Sequence, residues 1–501
     1  MTANGILIAG TSSDAGKSLV TTGICRFLAR QGLKVAPYKA QNMSNNSMVC
    51  RDGSEIGRAQ YLQAQAARAE PESAMNPVLL KPGSDRRSHV VVRGKPDGVL
   101  ESGEFATGRK HLALAAFAAY EELRDKYDVI VCEGAGSPAE INLRAGDYVN
   151  MGLARRFGLP TLVVGDIDRG GVFASLFGTV GLLDADDRAL IKAFVINKFR
   201  GDERLLRPGL DQLTELTGVP FLGVLPWLPE VWLDGEDTLF VGRWGARSGE
   251  LPTRALEIAA VRFPRLSNAT DLDALACEPG VSVTMTTDPA VLRSADVIIL
   301  PGSRSTVSDL EWLRRIGLAA EVRSAAAAGR TVVGICGGYQ MLARTIEDDV
   351  ESTSGRVEGL GLLPTTVTFA AQKQLALVDG SWEGHPVRGY EIHHGVASFD
   401  PAEPDGPAAE PGEAAAAGGP FLDGWRQGSV WGTMWHGTFE NDDSRRAFLL
   451  RAAGTAGVSL EPAELSAAQG FADRREAMID RLADAVAQHL DTDMLLSLVA
   501  D

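Results

Sequence analysis

Short apolar, β-branched runs recur in the first 235 residues at 5–9, 33–37, 128–132, 160–165 and 193–197, separated by longer Ala- and Leu-rich stretches. Strands alternating with helical segments predict a parallel sheet covered on both faces. At 234–254 the pattern gives way to Gly, Arg and Pro, which suits an inter-domain linker. A second alternating series follows, with strands at 257–263, 281–285, 296–300 and 331–335 and a helix at 310–328 that stops at Gly329. The expected fold class is α/β, with two doubly wound domains. One spans 1–235, a linker 236–254 follows, the second spans 255–455, and a helical extension, 456–501, is expected to pack on the second domain. Residues 400–420 are acidic, turn-rich and of low complexity, and read as a mobile surface excursion.

The first apolar strand runs into Gly10-Thr11-Ser12-Ser13-Asp14-Ala15-Gly16-Lys17-Ser18, and apolar residues then recur at Val20, Ile24, Phe27 and Leu28 on one helical face. Strand, glycine loop and helix form the context of a phosphate-binding loop. Glycines let backbone N–H groups approach phosphates, Lys17 neutralises β/γ charge, and the Ser18 hydroxyl can ligate Mg²⁺. Five residues separate Gly10 from Gly16, one more than the usual spacing. A metal-binding carboxylate is expected at a neighbouring strand end, where Glu133 stands before Gly134-Ala135-Gly136. Glu55 and Asp52 are further candidate ligands, and Asp166 and Asp168 are weaker ones.

In the second half, the strand at 331–335 breaks into Gly334-Ile335-Cys336-Gly337-Gly338-Tyr339-Gln340. Glycines two residues either side of Cys336 permit the sharp strand-to-helix turn that presents a nucleophile. Gly337 N–H is then placed to hold an oxyanion, with Gly302 of Pro301-Gly302-Ser303 as second donor. A thiol nucleophile needs a base, and of seven histidines His436 is expected to emerge at the end of a strand. His393 and His394 are expected to organise a substrate pocket or the domain interface, or to serve structure.

Length and composition narrow the setting. At 501 residues the chain holds more than one core. Its net charge of −16 argues against generic adhesion to nucleic acid or anionic lipid. No apolar run approaches the ~20 residues of a membrane helix, and the N-terminus has no basic segment leading into an apolar stretch, so the expected location is cytoplasmic. Five scattered cysteines fit neither a disulfide scaffold nor a zinc site.

Residues 334–340, Pro301-Gly302-Ser303 and His436 resemble the class I glutamine amidotransferase domain, and the phosphate loop resembles the dethiobiotin-synthetase-like ATPase domain. Fused in this order they resemble the cobalamin-pathway amidotransferases. The stretches 39–47 (KAQNMSNNS), 55–60 (EIGRAQ), 133–140 (EGAGSPAE) and 166–171 (DIDRGG) are similar to the cobyric acid synthase family in particular. The resemblance covers nearly the whole chain. It implies a ligase that uses ATP, Mg²⁺ and glutamine to amidate the b, d, e and g carboxylates of adenosylcobyrinic acid a,c-diamide. It also implies that Asn197 reads the adenine. The implied partner is a small corrinoid, with neither nucleic acid nor membrane, and self-association stays open. Lys81, Arg86, Arg87, Arg93 and Lys95 are the candidate basic patch for its carboxylates. The class I glutamate two residues after the histidine is here Thr438, which leaves Glu440 and Glu391 as candidates to orient His436. Two other readings share parts of this pattern. The a,c-diamide synthase has the same catalytic motifs, and 39–47 and 166–171 separate it by resemblance alone. Positioning ATPases carry a lysine five residues before the loop lysine, where this chain has Ser12.

Overall fold

The computed structural model describes residues 4–83, 87–101, 110–229, 231, 255–400 and 418–500. The linker 236–254, Arg86 and most of the acidic stretch 400–420 lie outside them. The chain divides into two compact units, Met1–Glu236 with Arg474–Asp501, and Asp237–Asp473.

The first unit is built on a six-stranded sheet. Its strands, in spatial order, are Phe221–Pro226, Ile191–Phe199, Thr161–Asp166, Asn4–Gly10, Val129–Glu133 and Val35–Tyr38. Every neighbouring pair is parallel, as continuous apolar runs buried on both faces require. The strand Asn4–Gly10 lies between strands that come much later in the chain. The connections therefore reverse direction beside it and open a crevice at the carboxyl edge. The helix Lys17–Arg30 covers one face with Val20, Ile24, Cys25 and Leu28 all fully buried. Two small sheets, one pairing Gln41–Met43 with Val78–Pro82 and one pairing Ser47–Val49 with Glu55–Gly57, hold the segment after the second strand.

The second unit has a seven-stranded sheet. Val281–Thr286, Leu256–Val261, Val297–Leu300, Thr331–Ile335 and Val430–Thr433 run parallel, and Gly424–Gln427 and Gly419–Phe421 close the edge antiparallel. A long hairpin, Thr365–Trp382 with His385–Phe399, belongs to a separate four-stranded sheet. No helix among the described residues is long and apolar enough to cross a membrane.

Two expectations are corrected. The helix expected at 310–328 is two helices, Thr306–Arg315 and Leu318–Ala327, because Gly317 takes φ 85° and turns the chain between them. The C-terminal extension is divided: its helix Pro462–Ala467 stays with the second unit. From Arg474 onward it belongs to the first, where Met478, Ile479, Ala483 and Val486 join the core formed with Val20, Ile24 and Leu28. A Cβ at Gly23 would stand 2.9 Å from Val486 and 3.0 Å from Leu482 O, so that glycine allows the helices to close. Arg26, almost wholly buried, reaches Glu476 at 2.7 Å and Asp480 at 3.0 Å, and Asp491 N–H donates to Leu222 O at 2.7 Å.

Because Ile479 is fully buried in the first unit's core, Ile479→Ala should cost about 2–5 kcal/mol. Urea unfolding should report the loss, and amide exchange across Lys17–Arg30 should accelerate with it. A peripheral helix would leave both unchanged.

Candidate active sites

In the first unit, Thr11 N–H donates to Val164 O at 2.9 Å and pins the glycine loop to the neighbouring strand. Gly16 has φ 96°, and a Cβ there would run into the Asn197 amide. Lys17 opens the following helix, and its ammonium is held by Ser12 O at 2.8 Å, Ser13 O at 3.0 Å and Gly136 O at 3.2 Å. A lysine that is 3% exposed and held by carbonyl dipoles directs its charge at the loop. Ser18 Oγ donates to Glu133 Oε1 at 2.8 Å. Lys39 Nζ meets the same oxygen at 2.9 Å, and Gln63 Nε2 donates to Oε2 at 2.5 Å. Burial alone would raise the Glu133 carboxyl, but Lys39, Gln63 and Lys17 hold it below its ordinary value, so it stays ionised.

Around this pair, Asp14 meets Arg169 at 2.6 Å and Asp14 O accepts from Lys198 Nζ at 2.8 Å. Asn197 Nδ2 donates to Ala15 O at 3.0 Å, so the side chain assigned to the adenine also braces the loop. Gly10, Thr11, Asp14, Ala15, Gly16, Lys17, Ser18, Glu133 and Asn197 thus meet at one sheet edge. Lys39 and Gln63 join them without having been given a role from the sequence; the signal was Lys39 at the head of the 39–47 stretch.

Other candidates go elsewhere. Glu55 lies against Lys81 Nζ and Ser47 Oγ, at 2.5 and 2.7 Å, in a buried pair that neutralises it. Asp52 closes a turn on Ser54. Asp166 accepts from Lys198 Nζ at 2.7 Å and from Asp168 N–H at 2.8 Å, which occupies it with a cation and a turn. The candidate basic patch carries its own acids: Lys81 with Glu55, Arg87 with Glu101 and Arg93 with Glu122. Among the described residues no group of three or more His, Cys, Asp or Glu could hold a metal. Ser18 and Glu133 are nevertheless hard oxygen donors of the kind Mg²⁺ takes when phosphates and water fill its other positions.

In the second unit, the strand Thr331–Ile335 delivers Cys336 at φ 50° and ψ −109°, a left-handed conformation that costs a non-glycine residue about 1–3 kcal/mol. Its N–H is tied to Thr433 O at 2.8 Å. Thr433 Oγ1 and Met434 N–H in turn donate to Asp423, at 2.5 and 3.1 Å. A Cβ at Gly334 would stand 2.7 Å from Tyr339 N, and one at Gly338 would collide with Leu300 O, so both glycines are needed for the turn to close.

At the expected oxyanion site it is Ser303, rather than Gly302, that lies beside Gly337. Gly302 pairs with Ser267 and Ser303 with Leu266 in a short antiparallel ribbon, and Arg304 N–H donates to Arg265 O at 2.8 Å. Hydrogen-bonded and non-bonded pairs alternate in such a ribbon, so Gly302 N–H is spent on Ser267 and Ser303 N–H turns the other way. It turns toward Gly337, where a Cβ would lie 2.7 Å from Ser303 N. The Ser303 backbone therefore stands beside Gly337. Gly302 keeps a different role, close approach, with its missing Cβ 3.0 Å from His436 Cε1.

His436 is 1% exposed, and its Nδ1 lies 2.7 Å from Asp271 Oδ2. The other Asp271 oxygen accepts Gly437 N–H at 2.7 Å. Neither Glu440 nor Glu391 is the orienting carboxylate; Glu391 takes the Trp435 indole N–H instead. Tyr390 stacks on the imidazole at 5.4 Å and exchanges both backbone hydrogen bonds with His436. Burial on its own would lower the imidazole, but Asp271 and Cys336 lift it to about 10. His393, by contrast, is pushed down to about 4, mainly by burial, and stays neutral. Asp271 lies 165 residues from His436 and follows Asn268, a left-handed turn residue, in a stretch with no motif to flag it.

Two family models match this chain. Residues 6–239 match the CobQ/CobB/MinD/ParA nucleotide binding domain, and 257–444 match the CobB/CobQ-like glutamine amidotransferase domain. The chain is 62% identical over 499 residues to a protein of Cutibacterium acnes named cobyric acid synthase, covering 99% of each. Proteins of the same name from Mycolicibacterium gilvum and Streptomyces avermitilis are 56% and 54% identical over 501 residues, covering 99% of this chain and 96% of theirs.

The Asp271–His436 contact makes a prediction independent of any substrate. The carboxylate charge raises the imidazole while burial opposes it, so Asp271→Asn should lower the His436 pKa. In a histidine-labelled NMR titration the parent imidazole should stay protonated through pH 9. The variant should release its proton at lower pH.

Proposed function

The chain belongs to the cobyric acid synthase family, and from that premise we propose that its two sites amidate the b, d, e and g carboxylates of adenosylcobyrinic acid a,c-diamide in cobalamin biosynthesis. ATP activates each carboxylate and glutamine supplies the nitrogen. The observation that carries this reading is the presence, on one chain, of the Lys17–Ser18–Glu133 phosphate site and the Cys336–His436–Asp271 constellation.

A carboxylate does not react with ammonia, so the first step moves the γ-phosphoryl group of ATP onto the corrinoid carboxylate, giving an acyl phosphate and ADP. Ser18 and Glu133 would hold Mg²⁺, which supplies charge neutralisation on the phosphates. The loop N–H groups from Thr11 to Lys17 cradle the β- and γ-phosphates. Lys17 exchanges its carbonyl partners for phosphate oxygens and stabilises the charge that builds in transfer. Lys39 keeps Glu133 ionised.

In the second unit the Cys336 sulfur attacks the glutamine carboxamide, and the oxyanion forms against Ser303 N–H and Gly337 N–H. His436, holding a proton with Asp271 behind it, gives that proton to the departing nitrogen. Ammonia leaves, a thioester remains, and water then attacks it while His436 takes back a proton, so glutamate is released. Ammonia displaces phosphate from the acyl phosphate and yields the amide.

The test separates the halves. Cys336→Ala should abolish glutamine-driven amidation of the a,c-diamide and leave ammonium-driven amidation within about threefold. Lys17→Ala should lower both by about 10²-fold or more, since carboxylate activation precedes use of either nitrogen source. Glutamine-driven amidation surviving in Cys336→Ala would refute the nucleophile. Activity on cobyrinic acid but not on its a,c-diamide would refute the substrate.

A further inference from the structure

We infer that Asp309 is a positioning residue of the glutaminase, holding in place the ribbon that presents the Ser303 oxyanion donor. The inference rests on the amidotransferase reading above and names a residue which that reading does not use.

Asp309 stands in the helix Thr306–Arg315 and is 2% exposed. One of its oxygens, Oδ2, accepts both Ser303 Oγ–H at 2.6 Å and Arg265 N–H at 3.3 Å. Ser303 Oγ also accepts Ser305 N–H at 3.0 Å, so the hydroxyl is fixed as donor toward Asp309 and acceptor toward its own turn. Ser303 and Arg265 sit on opposite strands of the two-stranded ribbon. One of those strands carries the oxyanion donor. The other runs through Asn268 to Asp271, the carboxylate behind His436. A single buried acid therefore ties together the two chains that place the oxyanion donor and orient the base. Asp309 also lies in the first turn of its helix, where a negative charge complements the helix dipole; the charged group acting on it is Arg265.

Charge makes this tie sensitive to pH. Hydrogen bonds to an ionised acceptor are roughly twice as strong as those between neutral groups. Burial raises Asp309 to about 6, against the pull of Ser303, the Arg265 N–H and the Arg265 charge. Above that value the carboxylate holds both strands. As pH falls through it the acid becomes neutral, both bonds weaken, and Ser303 N–H loses its fixed distance to the developing oxyanion. Removing an oxyanion donor outright costs about 10²–10³ in rate, so loosening one should cost less, on the order of tenfold. His436, held near 10, and His393, held near 4, both keep their protonation state through pH 6. Asp423, which accepts Thr433 Oγ1–H and Met434 N–H behind the cysteine turn, is also raised by burial to about 6. The contribution of Asp309 is therefore the part of the fall through pH 6 that is lost when Asp309 or the Ser303 hydroxyl is removed.

The experiment uses the full chain and follows glutamine hydrolysis from pH 5 to pH 8, beside ammonium-driven amidation corrected for free ammonia. The glutaminase kcat should fall about tenfold with a midpoint near pH 6, and the ammonium-driven reaction should lack that midpoint. Asp309→Asn mimics the neutral form: at pH 8 its kcat should be about tenfold lower, its KM for glutamine within about twofold of the parent, and its fall through pH 6 several-fold smaller than the parent's. Ser303→Ala deletes the hydroxyl that Asp309 receives and should reduce the same fall through pH 6, which keeps the test available if the Asn variant does not accumulate. A parent profile without the midpoint, an Asn variant with parental kcat at pH 8, or a fall through pH 6 as large as the parent's in either variant would overturn the inference. Absence of any glutaminase activity in the parent would overturn the amidotransferase reading instead.

Discussion

Parallel register is the constraint from which both sites follow. In the first unit Ile8 is paired with Glu133 and Gly10 with Val164, so the glycine loop, the acid after the next strand and the acids after the third all leave the sheet at one edge. In the second, Gly334 is paired with Gly432 and Ile335 with Thr433, which sets Cys336 and the run to His436 at the corresponding edge. A slip of one residue would turn every buried side chain to the opposite face. It would also separate Ser18 from Glu133 and Cys336 from Thr433. The apolar cores that hold the register are thus the reason the polar groups meet.

Each site then resolves the same electrostatic problem differently. Glu133 is fully buried, which would ordinarily neutralise it, and Lys39 and Gln63 keep it charged. His436 is also buried, and there the opposing charge of Asp271 outweighs burial and keeps a proton on the ring. Removing one member of either pair would strand a charge in the interior, a loss of about 3–5 kcal/mol. The net charge of −16 has little bearing on this, because the cations that matter, Lys17 and Lys39, are nearly inaccessible to solvent and act over single contacts.

What was legible in the sequence was what is local in it. The phosphate loop occupies nine contiguous residues and the cysteine elbow seven, each flanked by a strand and a helix, so spacing alone conveys their geometry. The α/β class was legible for the same reason, since alternation is a local pattern. Asp271 was not, because its role depends on a turn after Asn268 that meets His436 only in three dimensions. Thr438, at the position where the resemblance leads one to look for an acid, points to no substitute. That Ser303 rather than Gly302 lies beside Gly337 was not legible, because strand alternation in a two-residue ribbon cannot be read without its register. Glu55 illustrates a further limit: acid residues near a phosphate loop are candidate ligands by composition, but a buried Lys81 had already taken this one. The break at Gly317 was hidden because the flanking stretches share one amphipathic pattern.

The destination of the C-terminal helices has a consequence for how the chain folds. Their apolar face was evident in the sequence, but an amphipathic helix does not say which core it completes. Here Met478, Ile479, Ala483, Val486, Leu490 and Leu495 fill the face of the first unit that also bears Val20, Ile24 and Leu28. The second unit is therefore an insertion in the chain of the first, and the nucleotide-binding core lacks part of one face until residues 474–500 have been made. Fully burying one such side chain is worth about 1.5–3 kcal/mol, and domain stabilities are about 5–15 kcal/mol. Loss of several at once would consume most of that margin. The phosphate loop is braced on the same helix that these residues cover, so the amide-forming half becomes stable only on a chain that already carries the ammonia-forming half.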